Sequence, residues 1–220
     1  MGYAKLSTSN GEDVLEKIWL GYDTFGDCCS IGVSRRRPQE DPPNGSCFSV
    51  GVLHGSMNSC EDFDGAEPPP AVELKVMDRH VVMNNEILKV TLAKPEGYVT
   101  RIKYSGMKNV LQNNQEHDRG YWDIVCGQPT LKNGVFRLRA TNFSIITQNE
   151  SQVELSFSNT WDPNSEDYFS KSVPLKVDIR YIMLSGRPGF YAYAIFEREE
   201  KWPALYVDQL RIAFKLGMKK

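Results

Sequence analysis

The residues best suited to chemistry are two cations near the end of the sequence, Arg211 and Lys215. They lie four apart in the alternating segment 210–216, so in a strand both side chains project from the same face. Ala213 between them leaves room for a ligand, and two cations over a small residue suit a carboxylate. We therefore predict a substrate-binding pair. Two solvated charges on an outer face are an equally good interpretation of the spacing alone.

The three histidines, His54, His80 and His117, match no motif that binds a metal or carries out catalysis. There is no HExxH sequence and no Cys–His cluster at zinc spacing, and the adjacent Cys28 and Cys29 suit a tetrahedral site poorly. Neither a GxSxG elbow nor a glycine-rich phosphate loop occurs. We expect no cofactor, no metal site and no catalytic residue of a recognisable type. His80 then has a structural role in a strand, and His117 is a solvated surface group.

Aromatic residues stand beside turns and charges in segments 120–123, 161–163, 190–193 and 201–203. Flat side chains at loop edges can stack on the apolar faces of sugar rings, but for any single position the core of a sandwich is the better prediction. Asn-x-Ser sequons occur at three positions, not far above chance, and they matter only in an exported protein. They begin at Asn44, Asn142 and Asn149.

Composition divides the chain at the run 68–70, three prolines that favour an extended segment. Residues 1–70 hold 5 Lys and Arg against 11 Asp and Glu, a net charge of −6, and residues 71–220 hold 21 against 17, a net charge of +4. Four of the five cysteines also precede residue 71. We predict a largely irregular leader over 1–70 that matches no known family, with a helix-like stretch at 11–20, and a folded domain over 71–220.

From residue 71 onward, apolar residues recur with period two between turn signals such as Asn133-Gly134. This pattern, with no convincing long helix, predicts an all-β fold, an antiparallel β-sandwich. The alternating segments are 72–76, 86–92, 98–104, 135–139, 153–157, 175–184, 190–196 and 210–216. Both faces of segment 190–196 are apolar, which predicts a central strand.

Charge and hydropathy exclude several classes of function. No apolar run approaches the ~18 residues of a membrane span, so no membrane partner is expected. A net charge of −2 over 220 residues gives no general footprint for nucleic acid. No basic segment followed by an apolar one opens the chain, so the sequence as written predicts no signal peptide and an intracellular location.

Taken together, residues 71–216 resemble the N-terminal part of the plant rhamnogalacturonan lyases, a family of pectin-cleaving polysaccharide lyases. The matching motifs follow one another over two thirds of the chain. They are DRHVVM at 78–83, RGYWD at 119–123, VELSF at 153–157, TWDP at 160–163, VPL at 173–175, GFYAYAI at 189–195, WP at 202–203 and RIAFKL at 211–216.

The resemblance implies a galactose-mutarotase-like sandwich, present here in part, that acts on rhamnogalacturonan I by β-elimination. In that reaction a base removes the C5 proton of galacturonate while cations neutralise its carboxylate, because the developing anion needs positive charge. Arg211 and Lys215 would be the neutralising or substrate-orienting pair. Fungal relatives have two arginines at this spacing, so Lys215 departs from them and lacks a bidentate fork.

The resemblance also implies that the family's lysine base and histidine acid follow residue 220. We therefore expect a truncated family member that is inactive as this chain. The alternative is a non-catalytic sandwich that binds acidic pectic polysaccharide. The family further implies an extracellular or cell-wall location, against the missing signal, and we expect a monomer.

Overall fold

The computed structural model describes residues 69–104, 106–127, 134–164 and 173–217, together with the backbone of three short strands nearer the N-terminus. Fourteen strands are assigned in the described residues. They are β1 (Tyr3–Lys5), β2 (Lys17–Leu20), β3 (Ile31–Ser34), β4 (Glu73–Val76), β5 (His80–Asn84), β6 (Leu88–Ala93), β7 (Val99–Tyr104), β8 (Gly120–Gly127), β9 (Gly134–Arg137), β10 (Asn142–Gln148), β11 (Gln152–Thr160), β12 (Lys176–Leu184), β13 (Phe190–Glu197) and β14 (Tyr206–Phe214). A single 3-10 turn, Glu116–Asp118, precedes β8.

Two antiparallel sheets make up the domain. The larger sheet has the order β1-β14-β8-β7-β6-β5-β4, with β9 also paired to β8, and the smaller sheet has the order β10-β11-β12-β13. Strands β2 and β3 form a separate two-stranded ribbon. Every pair is antiparallel, and most neighbours in the order are consecutive in the chain. The prediction of an antiparallel β-sandwich is confirmed.

The core lies between the two sheets, and strand alternation supplies it. Strand β6 alternates between buried and half-buried positions throughout, as does β12 after its first residue, and in β13 every second residue from Phe190 to Phe196 is buried. The larger sheet contributes Trp122 and Leu92, and the smaller one Phe157 and Tyr181, all almost completely buried. Phe157 and Tyr181 pack edge to face at 5.8 Å, a favourable geometry for aromatic rings.

Two buried polar contacts join the sheets. Asn85, fully buried after β5, donates from Nδ2 to the carbonyl of Leu184 (2.9 Å) at the end of β12 and to that of Arg187 (2.7 Å) in the turn that follows. Its Oδ1 accepts the amide of Leu88 at 2.8 Å. The Tyr181 hydroxyl donates to the Gly97 carbonyl at 2.9 Å. Burial of these groups is tolerated because each has a partner.

Gly97 is required where this bond forms. Its φ of +79° is a conformation that L side chains rarely adopt, and an added Cβ would lie 2.9 Å from Cβ of Phe157.

From β4 onward, the segments predicted from period two omit β5, β8 and β10. Strand β5 was expected as the strand that holds His80, and the other two were missed for different reasons. In β8 the outward-facing Asp123 is buried as well as its core-facing neighbours, so alternation is lost. In β10 a bulge between Ile145 and Thr147 shifts the pattern by one residue.

Two other expectations were wrong. Residues 17–20 of the predicted helix-like stretch form strand β2, and residues 11–16 lie outside the described part of the chain. Segment 190–196 is the terminal strand of the smaller sheet and not a central one. The face of this strand that is turned away from the core carries tyrosines, and the hydroxyl of Tyr193 donates to Glu154 at 2.7 Å.

In the described residues, no helix is long and apolar enough to cross a membrane.

Candidate functional site

Of the predicted pair, Arg211 lies on β14 and Lys215 directly follows its last residue, and the register of the neighbouring strands decides what surrounds them. Arg211 is opposite Asp123 of β8, and Asp123 is in turn opposite Arg137 of β9. Ala213 is opposite Tyr121. Residues directly opposite in a ladder share a face, so these side chains lie on the outer face of the larger sheet. Leu210 and Ile212 point the other way, into the core.

Arg211 is held in a two-point ion pair. Its Nε donates to Oδ1 of Asp123 at 2.6 Å, and its Nη2 donates to Oδ2 at 2.9 Å. The Asp123 side chain is only 9% exposed, against 29% for Arg211. Such a fork fixes the guanidinium more firmly than a single bond would.

Lys215 contacts the aromatic ring that Ala213 leaves uncovered. Its Nζ lies 5.5 Å from the centroid of Tyr121, and Cζ of Arg137 lies 4.0 Å from the same centroid. Both distances fall within the range of cation–π attraction. We call Tyr121, Asp123, Arg137, Arg211 and Lys215, together with Asp118, the Tyr121 cluster.

Asp118 anchors the second arginine of the cluster. Arg137 donates from Nη1 to Oδ1 of Asp118 at 2.7 Å and to the His117 carbonyl at 3.0 Å. The hydrogen bond from Arg137 lowers the pKa of Asp118, and the charge of Lys215 acts in the same direction. Three cations therefore face two carboxylates, and the Tyr121 cluster has a net charge of +1.

The backbone fixes the position of Lys215 although it follows the last residue of β14. Its amide donates to the Arg119 carbonyl at 2.8 Å, and its carbonyl accepts the Gln112 amide at 2.8 Å. The cation is thus carried by a continuing ladder and not by a loose end. Arg211 and Lys215 keep the common face that the spacing predicts, but Arg211 pairs with Asp123 whereas Lys215 lies over Tyr121.

A small cavity opens beside the segment that follows β9. Its volume is about 60 Å³, and its lining includes Phe157, Val177, Arg139 and Asn159. Since one water needs ~10–15 Å³ by this measure, the cavity holds a few waters and is too small for a sugar ring.

Three of the seven aromatic residues considered for sugar stacking are buried: Trp122, Trp161 and Phe190. Trp122 and Phe190 are almost fully buried, and Trp161 packs against Trp202 with ring centroids 5.4 Å apart. Tyr121 differs, because it is half-buried among cations on the outer face.

The histidines lie outside the cluster's centre. His80, in β5, is 3.1 Å from a carboxylate oxygen of Glu116, and the His117 side chain is 51% exposed. His54 lies outside the described residues. No group of three His, Cys, Asp or Glu in the described segments could hold a metal ion.

Sequence reasoning missed Tyr121, Asp118, Asp123 and Arg137 as members of the site. Tyr121 and Asp123 were within a noted aromatic segment, and their i, i+2 spacing was the available signal. Arg137 gave none, because its position depends on the pairing of β8 with β9.

Comparison with known proteins adds one positive finding. A family model described as the rhamnogalacturonate lyase family matches residues 60–220, which include every strand from β4 to β14. No curated protein and no solved structure matches the chain significantly.

Proposed function

Because the chain belongs to the rhamnogalacturonate lyase family, we propose that its sandwich binds the acidic rhamnogalacturonan chain of pectin on the Tyr121 cluster. Membership indicates a pectin-degrading, lyase-like function, and the residues that meet the polymer are our proposal. The observation that supports it is the gathering of Arg137 and Lys215 around one aromatic ring on an outer sheet face, with Arg211 two residues along the same face of the ladder.

The chemistry of the ligand matches the charge of the surface. Each galacturonate unit carries a carboxylate, and a charge-assisted hydrogen bond from Lys or Arg is about twice as strong as a neutral one. Lys215 and Arg137 are the cations we assign to the carboxylate. Arg211, oriented by Asp123, supplies a further positive charge beside them. In an elimination, such charge would stabilise the anion that develops when the C5 proton is removed.

We further propose that the 220 residues bind the polymer without completing the elimination. This proposal rests on the expectation that the family's base and acid follow Lys220. The Tyr121 cluster consists of three cations, a tyrosine and two carboxylates that are each paired with an arginine. These groups suit binding better than proton abstraction. A cell-wall or other extracellular location is part of this proposal, since that is where the polymer occurs.

Binding to rhamnogalacturonan I tests the surface, with a neutral galactan as the control ligand. We expect Lys215→Ala and Arg137→Ala each to weaken binding roughly tenfold, since a hydrogen bond to a charged group contributes about 1.5 kcal/mol. Lys201→Ala is the matched control: it removes the same charge from an exposed position before β14. The nine residues of β14 separate it from Lys215 by about 30 Å along the strand.

Binding should also weaken as salt rises, because exposed charges are screened. Unchanged affinity in the double variant Arg137→Ala/Lys215→Ala, or an equal loss in Lys201→Ala, would overturn the assignment of the surface. Turnover is measured separately by the absorbance of the unsaturated uronate product. Strong turnover by the 220-residue chain would refute the second proposal and leave the binding surface intact.

A further inference from the structure

The β10–β11 hairpin combines an exposed sequon with an edge strand that lacks charged residues. Asn149, Glu150 and Ser151 form the tip between the two strands, and all three are exposed. We propose that Asn149 is an N-glycan acceptor, and that the glycan shields β10. The idea goes beyond the proposed function and depends only on passage through the secretory route.

The geometry of the tip presents the reacting atom of Asn149 to solvent. Its Oδ1 accepts three hydrogen bonds, from the amide (3.0 Å) and hydroxyl (2.8 Å) of Ser151 and from the amide of Gln152 (2.8 Å). Those bonds hold the side chain by its oxygen. Among the described residues Nδ2 has no hydrogen-bond partner, so the nitrogen that a sugar must reach is uncovered.

The sequon at Asn142 provides an internal comparison. Asn142 is the first residue of β10, opposite Ser158 in the ladder, and its Nδ2 donates to Oγ1 of Thr141 at 3.3 Å. It is therefore held in a strand, and its nitrogen is engaged. Asn149 lies in a turn, the surface setting that glycosylation requires.

The tip is also rigid enough to direct a bulky group. The amide of Val72 donates to the Glu150 carbonyl, and the amide of Ser185 donates to the Ser151 carbonyl, both at 2.9 Å. These two bonds use main-chain atoms and leave the side chain of Asn149 unaffected. A glycan there would project from a fixed point at the end of β10.

Strand β10 has reason to be shielded. It is a terminal strand of the smaller sheet, and none of its seven residues is charged or proline. Ile145 and Ile146 are 42% and 46% exposed. Uncharged edge strands with exposed β-branched residues promote edge-to-edge association. The bulge at Ile146 works against such association, and a glycan next to the strand would hinder it sterically.

The transfer uses a lipid-linked oligosaccharide diphosphate and the transferase of the secretory pathway. A bond forms between Nδ2 and the first carbon of the donor sugar. The bond from that carbon to the diphosphate oxygen breaks, its electron pair leaves on the lipid diphosphate, and Nδ2 loses one proton. No oxidant or reductant is needed.

The test expresses the full chain in eukaryotic cells behind a cleavable targeting sequence and measures gel mobility before and after an N-glycosidase. Asn149→Asp keeps the Oδ1 acceptor of the turn and removes the acceptor nitrogen. We expect one glycan-dependent mobility step to be lost in Asn149→Asp and in Ser151→Ala. It should be retained in Ser151→Thr, which keeps the sequon. Asn142→Gln should retain the Asn149 step.

A glycosidase-sensitive pattern that is identical in wild type and Asn149→Asp, or no glycan at all, would overturn the assignment. For the shielding, light scattering on warming should rise severalfold in Asn149→Asp, although its new charge opposes association. Adding Ile146→Lys should reverse the rise, because a charge then stands on the edge strand. Equal scattering with and without the glycan would refute the shielding. None of these readouts uses pectin, so their outcome is independent of the proposed function.

Discussion

Arg211 stabilises the fold through Asp123, and its removal should cost far more than removal of Lys215. Exposed ion pairs contribute about 0–1 kcal/mol, whereas loss of one partner of a buried pair costs about 3–5 kcal/mol. Here the carboxylate side chain is 9% exposed and the guanidinium side chain 29%. Arg211→Ala should therefore lower the free energy of unfolding by about 2–3 kcal/mol. Lys215→Ala removes a half-buried charge and a weak ring contact, so about 0.5 kcal/mol is expected.

Urea denaturation followed by tryptophan fluorescence measures these changes, because Trp122 is buried between the sheets. A double-mutant cycle with Asp123→Ala isolates the pair. We expect the double variant to be destabilised by at least ~1 kcal/mol less than the sum of the single variants, because it leaves no unpaired buried charge. Additive effects, or equal losses in Arg211→Ala and Lys215→Ala, would refute the structural role of Arg211.

Three further predictions concern buried groups. Asn85→Ala should destabilise the protein by about 2–4 kcal/mol, because three buried hydrogen bonds are lost; in the same urea assay, a loss below 1 kcal/mol would contradict its role in joining the sheets. Burial raises the pKa of the Cys126 thiol to about 12, so Cys126 should be alkylated at pH 8 only in denatured protein. Labelling of Cys126 in the folded chain would contradict its burial. Burial, and then the hydrogen bond to Glu154, raise the pKa of Tyr193 to about 12. A group with a raised folded pKa stabilises fully below its unfolded pKa near 10, and this contribution is lost as the pH rises from 10 to 12. Absorbance titration should show a lower pKa for Tyr193 in Glu154→Ala, which removes the acceptor, and an unchanged value would exclude the hydrogen bond as a cause.

The sequence predicted the fold because the physics of a two-sided sheet repeats in every strand. Segments such as 175–184 place apolar side chains at alternate positions, and that pattern identifies which face is buried without knowledge of the partner strand. It failed where a local irregularity intervened. The bulge in β10 shifts the alternation, and the paired carboxylate of Asp123 makes β8 look neither amphipathic nor fully apolar.

The sequence by itself thus determined an all-β sandwich, a resemblance to one family, and two cations on one face of a strand. Only the tertiary structure decided what those cations meet. Register brings Asp123 to Arg211, and it brings Tyr121 and Arg137 to the neighbourhood of Lys215. These partners are 78 to 94 residues away from the two cations in the sequence. Spacing within a strand is a local property of the backbone, whereas the partner across a sheet depends on the pairing of distant segments. The predicted pair is therefore two cations with different surroundings, one fixed by a buried carboxylate and one held over an aromatic ring.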